Sequence, residues 1–188
     1  TDGQLVKLGL LDSLFAALDA HQMPYHLFDS VFPNPTEELV QAGYAAWQAA
    51  ECDYIIAFGG GSPIDTAKAV KILTANPGPS TAYSGVGKVV NPGVPLVAIN
   101  TTAGTAAEMT SNAVIIDSAR QVKEVIIDAN IIPDIAVDDA SVMLAMLFLP
   151  ARFFPLQSPS RWLAQVTSGS ASFVAMYLSR EYIMASGL

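Results

Sequence analysis

The chain has 188 residues, 52% of them hydrophobic and 14% charged, with a formal net charge of −8. That length supports one sizeable core, or one domain with part of another, and an acidic chain with no basic stripe is a poor match for nucleic acid. Cys52 is the single cysteine, which excludes an intramolecular disulfide framework and points to a reducing, cytoplasmic setting; no leader and no membrane span is expected.

In chain order, "QLVKLGLLDSLFAALDAH" places Leu5, Leu8, Leu11, Leu14, Phe15 and Leu18 on one helical face. Pro24 to Asp29 reads as a short strand that runs into "SVFPNPT". Thr36 is placed to cap the helix "EELVQAGYAAWQAA", whose acidic first turn complements the helix dipole. "DYIIAFG" is the next strand and "SPIDTAKAVKILTAN" the next helix, with Pro63 in the first turn, where a missing N–H costs nothing. "PLVAIN" is a short buried strand. "AVIID" and "KEVIID" read as a hairpin around "SARQ", and "DIAVDD" as a further β run. Alternating strands and helices predict an α/β fold: a Rossmann-like open parallel sheet with helices on both faces, plus a β-hairpin. From Met146 the composition changes, and residues 146–188 read as a separate tail, helical in part over "ASFVAMYLSREYIM".

Two loops attract attention. The three glycines of "YIIAFGGGSPIDTAKAV" lie where a strand gives way to a helix, so Gly60 and Gly61 allow main-chain approach by an anion, with Ser62 adding a hydroxyl and Asp65 one turn further on. A plain tight turn explains the same glycines, and G-x-G-x-x-G spacing is absent. "NTTAGTAAEMTSN" also follows an apolar strand, so Thr101, Thr102, Thr105 and Thr110 would reach the same sheet edge. An extended phosphate ligand would use both loops, whereas a threonine loop alone can be helix capping.

Together "FDSVFPNPT", "CDYIIAFGGGSPIDTAKAV", "NTTAGTAAEMT" and "IIPDIAVDD" resemble the iron-containing alcohol dehydrogenase family, in order and in register up to about Met143. The resemblance implies an NAD-binding α/β domain over residues 1–145, hydride transfer between NAD and a small alcohol or aldehyde, and Fe2+ or Zn2+ on a following all-helical domain. It further implies a homodimer. Carried over by position, Asp2 would bind the adenosine ribose and favour NAD. Asn34, Gly60, Gly61, Ser62, Asp65, Thr101, Thr102, Thr105, Asn112 and Lys123 would be cofactor contacts. Lys123 also reads as a solvated hairpin charge.

The chain departs from that pattern where the chemistry should be. The helical metal domain is largely absent, its ligand-bearing helix is not found, and His21 and His26 are the only histidines, both ahead of the "PNPT" motif. Asp138 and Asp139 are adjacent in a strand, on opposite faces, and so make a poor acid–base pair. The family's first strand is missing, which should leave a sheet edge exposed. No catalytic residue is therefore assigned, and cofactor binding without turnover is expected of this chain. The alternatives are a non-catalytic nucleotide-binding module, or a relative of glycerol dehydrogenase and dehydroquinate synthase; "PNPT" and "TTAGTAAE" favour the alcohol dehydrogenase branch over the latter.

Overall fold

The computed structural model describes residues 1–140, 142–143, 175–178 and 181–182. Its centre is the helix α4 (Gly61–Leu73), which follows α1 (Gly3–Lys7), α2 (Asp12–Ala20), α3 (Glu37–Ala49) and β1 (Ile55–Gly59). After it come β2 (Gly85–Val86), β3 (Leu96–Asn100), the hairpin β4 (Asn112–Asp117) and β5 (Val122–Ile127), then β6 (Ile135–Asp138), β7 (Ala175–Leu178) and β8 (Glu181–Tyr182). The main sheet has the order β1-β3-β6-β7-β8, with β1, β3 and β6 mutually parallel. A second sheet has the order β2-β5-β4.

Strand alternation sends side chains to two faces, and each face is covered. Ala57, Leu96 and Ala98 pack on Ile64 and Ala67 of α4. Phe58 and Ile99 turn the other way, onto Leu5 of α1 and Leu11. The far side of α4 meets Val40 of α3 and Ile115 of β4, while Ile72 meets Ala113 and Ile126 of the hairpin sheet. Helix α4 is thus enclosed by the main sheet, a helix and the hairpin. Helices cover both faces of a parallel sheet, as the sequence pattern predicts, and the hairpin turns at residues 118–121 with Asp117 opposite Val122.

Three expectations are corrected. The helix expected from Gln4 to His21 is two helices, because Gly9 adopts φ +69° and breaks the run between Lys7 and Asp12. The strand expected at Pro24 to Asp29 does not form: these residues belong to no strand and pair with none among the described residues. They are held by Tyr25 stacking on Phe15 at 5.1 Å and by the Thr1 α-amino group donating to the Phe28 carbonyl at 3.1 Å. A cavity of about 400 Å³ lies between them and β1, the terminal strand of its sheet among the described residues, so they do not reach its free edge. In the tail, Ala175–Leu178 and Glu181–Tyr182 are strands, not helix; β7 pairs antiparallel with β6 and satisfies that strand's outer edge. The remainder of the tail, and its boundary after residue 145, lie outside the described residues.

Candidate functional site

Strands β1 and β3 end level, with Gly59 opposite Asn100, so the loops that follow leave the sheet side by side. Thr101 N–H donates to the Gly59 carbonyl at 3.0 Å and fastens the two exits together. The Asn100 side chain shapes the second loop: its Oδ1 accepts from Thr102 N–H at 3.0 Å, and its Nδ2 donates to Asp138 Oδ1 at 3.2 Å. The glycine turn and the threonine loop therefore touch at the carboxyl edge of the parallel sheet, the usual ligand position in open α/β folds.

Each glycine has a packing reason. A Cβ on Gly59, which adopts φ +148°, would lie 2.5 Å from Pro63 Cγ. One on Gly60 would lie 2.9 Å from both Cγ2 and Oγ1 of Thr102, and one on Gly61 would lie 3.4 Å from Thr105. Both sequence explanations thus hold together: the bare turn lets the threonine loop approach, and it leaves the start of α4 open. Gly60 is the N-cap, and no side chain caps the helix. An uncapped helix N-terminus presents unpaired N–H groups and the positive end of the dipole, which suit a phosphate.

The residues named from sequence fall into three groups. Gly60, Gly61, Ser62, Thr102 and Thr105 surround the uncapped turn, and Thr105 is exposed. Thr101 belongs to the same loop but is fully buried, with a hydroxyl that has no partner among the described residues, so it lines the interior and not the cleft surface. Asn34 and Lys123 form a second group. Pro35 O accepts from Ile116 N–H at 2.8 Å, which docks the "PNPT" turn beside β4. Lys123, opposite Ile116, then donates to Asn34 Oδ1 at 2.9 Å. Lys123 is exposed yet has a defined partner. Asp2 is the third: it caps α1, its Oδ1 accepting from Gln4 and Leu5 N–H at 3.0 Å each, so a ribose would have to meet Oδ2.

Asp65 does not simply face the ligand mouth. Its Oδ2 accepts from Val114 N–H at 3.2 Å, joining α4 to β4. Burial pushes its carboxyl up to about 6, against the downward pull of the Val114 amide and Lys68. Asn112 is exposed at the start of β4, and its carbonyl accepts from Lys68 Nζ at 2.9 Å.

Sequence reading missed Lys68 and Glu108. Lys68 is fully buried, and burial draws its ammonium down to about 8 although Asp65 and Glu108 oppose this. Glu108 is 5% exposed, its Oε2 has no hydrogen-bond partner among the described residues, and burial raises its pKa. The available signal was Asp65 and Lys68 spaced i, i+3 in the helix that begins at the glycines. For a metal the fit is poor: among the described residues no three His, Cys, Asp or Glu side chains gather as ligands. His21 and His26 are both exposed.

Comparison with known proteins agrees with this architecture. A family model described as iron-containing alcohol dehydrogenase matches residues 1–140. Alcohol dehydrogenase 4 of Schizosaccharomyces pombe is 41% identical over 146 residues, covering 78% of this chain and 35% of that protein. The NAD-dependent methanol dehydrogenase of Bacillus methanolicus is 40% identical over 144 residues, covering 77% and 38% respectively. The crystal structure of a 1,3-propanediol oxidoreductase superposes with a TM-score of 0.74 at 36% identity, covering 76% of this chain and 37% of that one. The chain thus spans little more than a third of the length of the relatives it matches.

Proposed function

The chain belongs to the iron-containing alcohol dehydrogenase family, and from that premise we propose that residues 1–140 bind NAD at the carboxyl edge of β1 and β3. The observation that carries this reading is the uncapped start of α4 lying against the threonine loop. The Gly61 and Ser62 amides would receive the diphosphate, with the hydroxyls of Ser62, Thr102 and Thr105 at its flanks. The Asp2 carboxylate would meet the adenosine ribose and repel a 2′-phosphate, favouring NAD over NADP. Asn34 and Lys123, already bonded to each other, would form a further polar contact.

Bound NAD would supply the hydride acceptor for oxidation of a small alcohol to an aldehyde, and NADH the donor for the reverse. That activity, in a cytoplasmic homodimer, is proposed for the whole protein. For this chain we propose binding without turnover, because the described residues offer no metal-ligand cluster and no step through a metal is derived for them.

Titration of the chain with NADH, followed by nucleotide fluorescence, tests the reading. Saturable binding below about 1 mM is expected, with NAD competing and no aldehyde formed from a primary alcohol in the presence of Fe2+ or Zn2+. An unchanged NADH signal at millimolar cofactor would overturn the binding site, and metal-dependent turnover would overturn the claim of binding alone.

A further inference from the structure

We infer that Lys68 is a positioning residue of the cofactor cleft: from the helix that the glycine turn begins, its ammonium holds the far end of the threonine loop in place. The inference rests on the proposed NAD site and adds to it a residue that touches no ligand.

The bonding pattern carries it. Lys68 Nζ donates to the carbonyls of Thr110 at 2.6 Å and Asn112 at 2.9 Å, and lies 3.4 Å from Thr110 Oγ1. The acceptors sit where the threonine loop ends and β4 begins. Burying an ammonium is expensive, and an apolar side chain of similar length would fill the volume without that cost. The bonds therefore do something that packing alone would not: they fix the loop's exit to the ligand-facing helix. At its entry the loop is held by Thr101 N–H on Gly59 O and by Asn100 on Thr102. Between entry and exit, residues 103–106 are exposed and belong to no strand or helix. Asp128 N–H also donates to Ser111 O at 2.8 Å, but that bond ties the exit to the hairpin sheet and not to the glycine turn. Asp65, through Val114, supports the same joint one turn nearer the start of α4.

Lys71, three residues along the same helix, provides an internal control. It is 3% exposed and equally well bonded, but to Ile132 O at 3.3 Å and Asp134 Oδ2 at 2.9 Å, at a place away from both loops. Two buried lysines of one helix thus secure different things. The tie at Lys68 should also respond to pH. Asp65 on α4 and Glu108 in the threonine loop are the charged groups acting on it, and Asp138 on β6 acts on Glu108. Losing a proton above about 8 removes one of its donors.

The test compares the full chain with Lys68→Met and Lys71→Met by NADH titration, thermal melting and amide hydrogen exchange without ligand. The expected result is that Lys68→Met weakens NADH binding about tenfold or more, a coupling of ordinary size, and speeds exchange across residues 103–111. Lys71→Met, with a comparable loss of melting temperature, should leave both unchanged within about twofold. In the unmutated chain, NADH affinity and loop protection should both fall as pH rises through about 8, a limb that Lys68→Met lacks. Equal effects from the two lysine variants, or an unchanged loop in Lys68→Met, would overturn the inference. Should the unmutated chain fail to bind NADH, the cofactor site falls, and loop exchange alone still decides the tie. Should Lys68→Met fail to fold, Lys68→Gln and Lys71→Gln are compared in its place, and equal effects from that pair, or an unchanged loop in Lys68→Gln, would count as refutation.

Discussion

At the scale of single residues, the triple-glycine turn answers to sterics and ligand chemistry together, and the two can be separated. A Gly60→Ala side chain would crowd Thr102 at 2.9 Å, so a loss of about 1–3 kcal/mol is expected from overpacking. Thr102→Ala removes both crowding atoms, so the double variant should regain most of that stability in urea melts. A double variant as unstable as Gly60→Ala would show that the turn resists alanine for some other reason.

Asp65 gives a pH-dependent case. Its carboxyl titrates near 6 in the fold, above the ordinary aspartate value of 3.8. The folded chain therefore holds a proton that the unfolded chain has released between these values. The stability Asp65 contributes is fully present below about pH 4 and is lost as pH rises through about 6. Asp65→Asn keeps an acceptor for Val114 N–H and removes that dependence. Relative to the unmutated chain, it should gain about 2–3 kcal/mol between pH 4 and pH 7; a constant difference across this range would contradict the assignment.

At the scale of elements, legibility followed burial. Strands β1 and β3, helix α3 with its Thr36 cap, and the β4–β5 hairpin were readable because period, cap and turn signals agreed locally. The 4–21 helix was misread because a continuous apolar face concealed the break at Gly9, whose left-handed conformation does not appear in a periodicity count. Pro24 to Asp29 has a strand's composition, but a strand needs a neighbour, and among the described residues it pairs with none. Helix α4 was found, but not its enclosure, since the sequence reading assigned no place to Lys68 or Lys71. Their acceptors are 40 or more residues away, and the sequence pattern of the helix carries no trace of them. Asp134 shows what such distant ties are worth. Its Oδ2 accepts from Lys71 Nζ at 2.9 Å and from Leu96 N–H at 2.8 Å, joining α4 to the start of β3. Asp134→Ala leaves the buried ammonium with only the Ile132 carbonyl and should cost about 1–3 kcal/mol, read as a lower urea midpoint. A midpoint shift no larger than that of an exposed Asp→Ala change would show that the joint is not needed.

At the scale of the whole molecule, residues 1–140 match the iron-containing alcohol dehydrogenase family model. The parallel sheet, its covered faces and the paired loops at one edge form in a chain that spans little more than a third of the length of the relatives it matches. The candidate site was legible as loops, because small and hydroxyl residues after two apolar strands leave few alternatives. Its internal support at Lys68 was not legible, because it depends on which elements pack together. The central claim is that main-chain amides at the start of α4, beside the threonine loop, receive a dinucleotide's diphosphate. Backbone amide chemical shifts of the isotopically labelled chain, followed during titration with ADP-ribose, address it most directly. Saturable shifts concentrated at Gly61, Ser62 and residues 102–105 are the expected result; saturation with shifts elsewhere, or no shift at these amides at millimolar ligand, would contradict it.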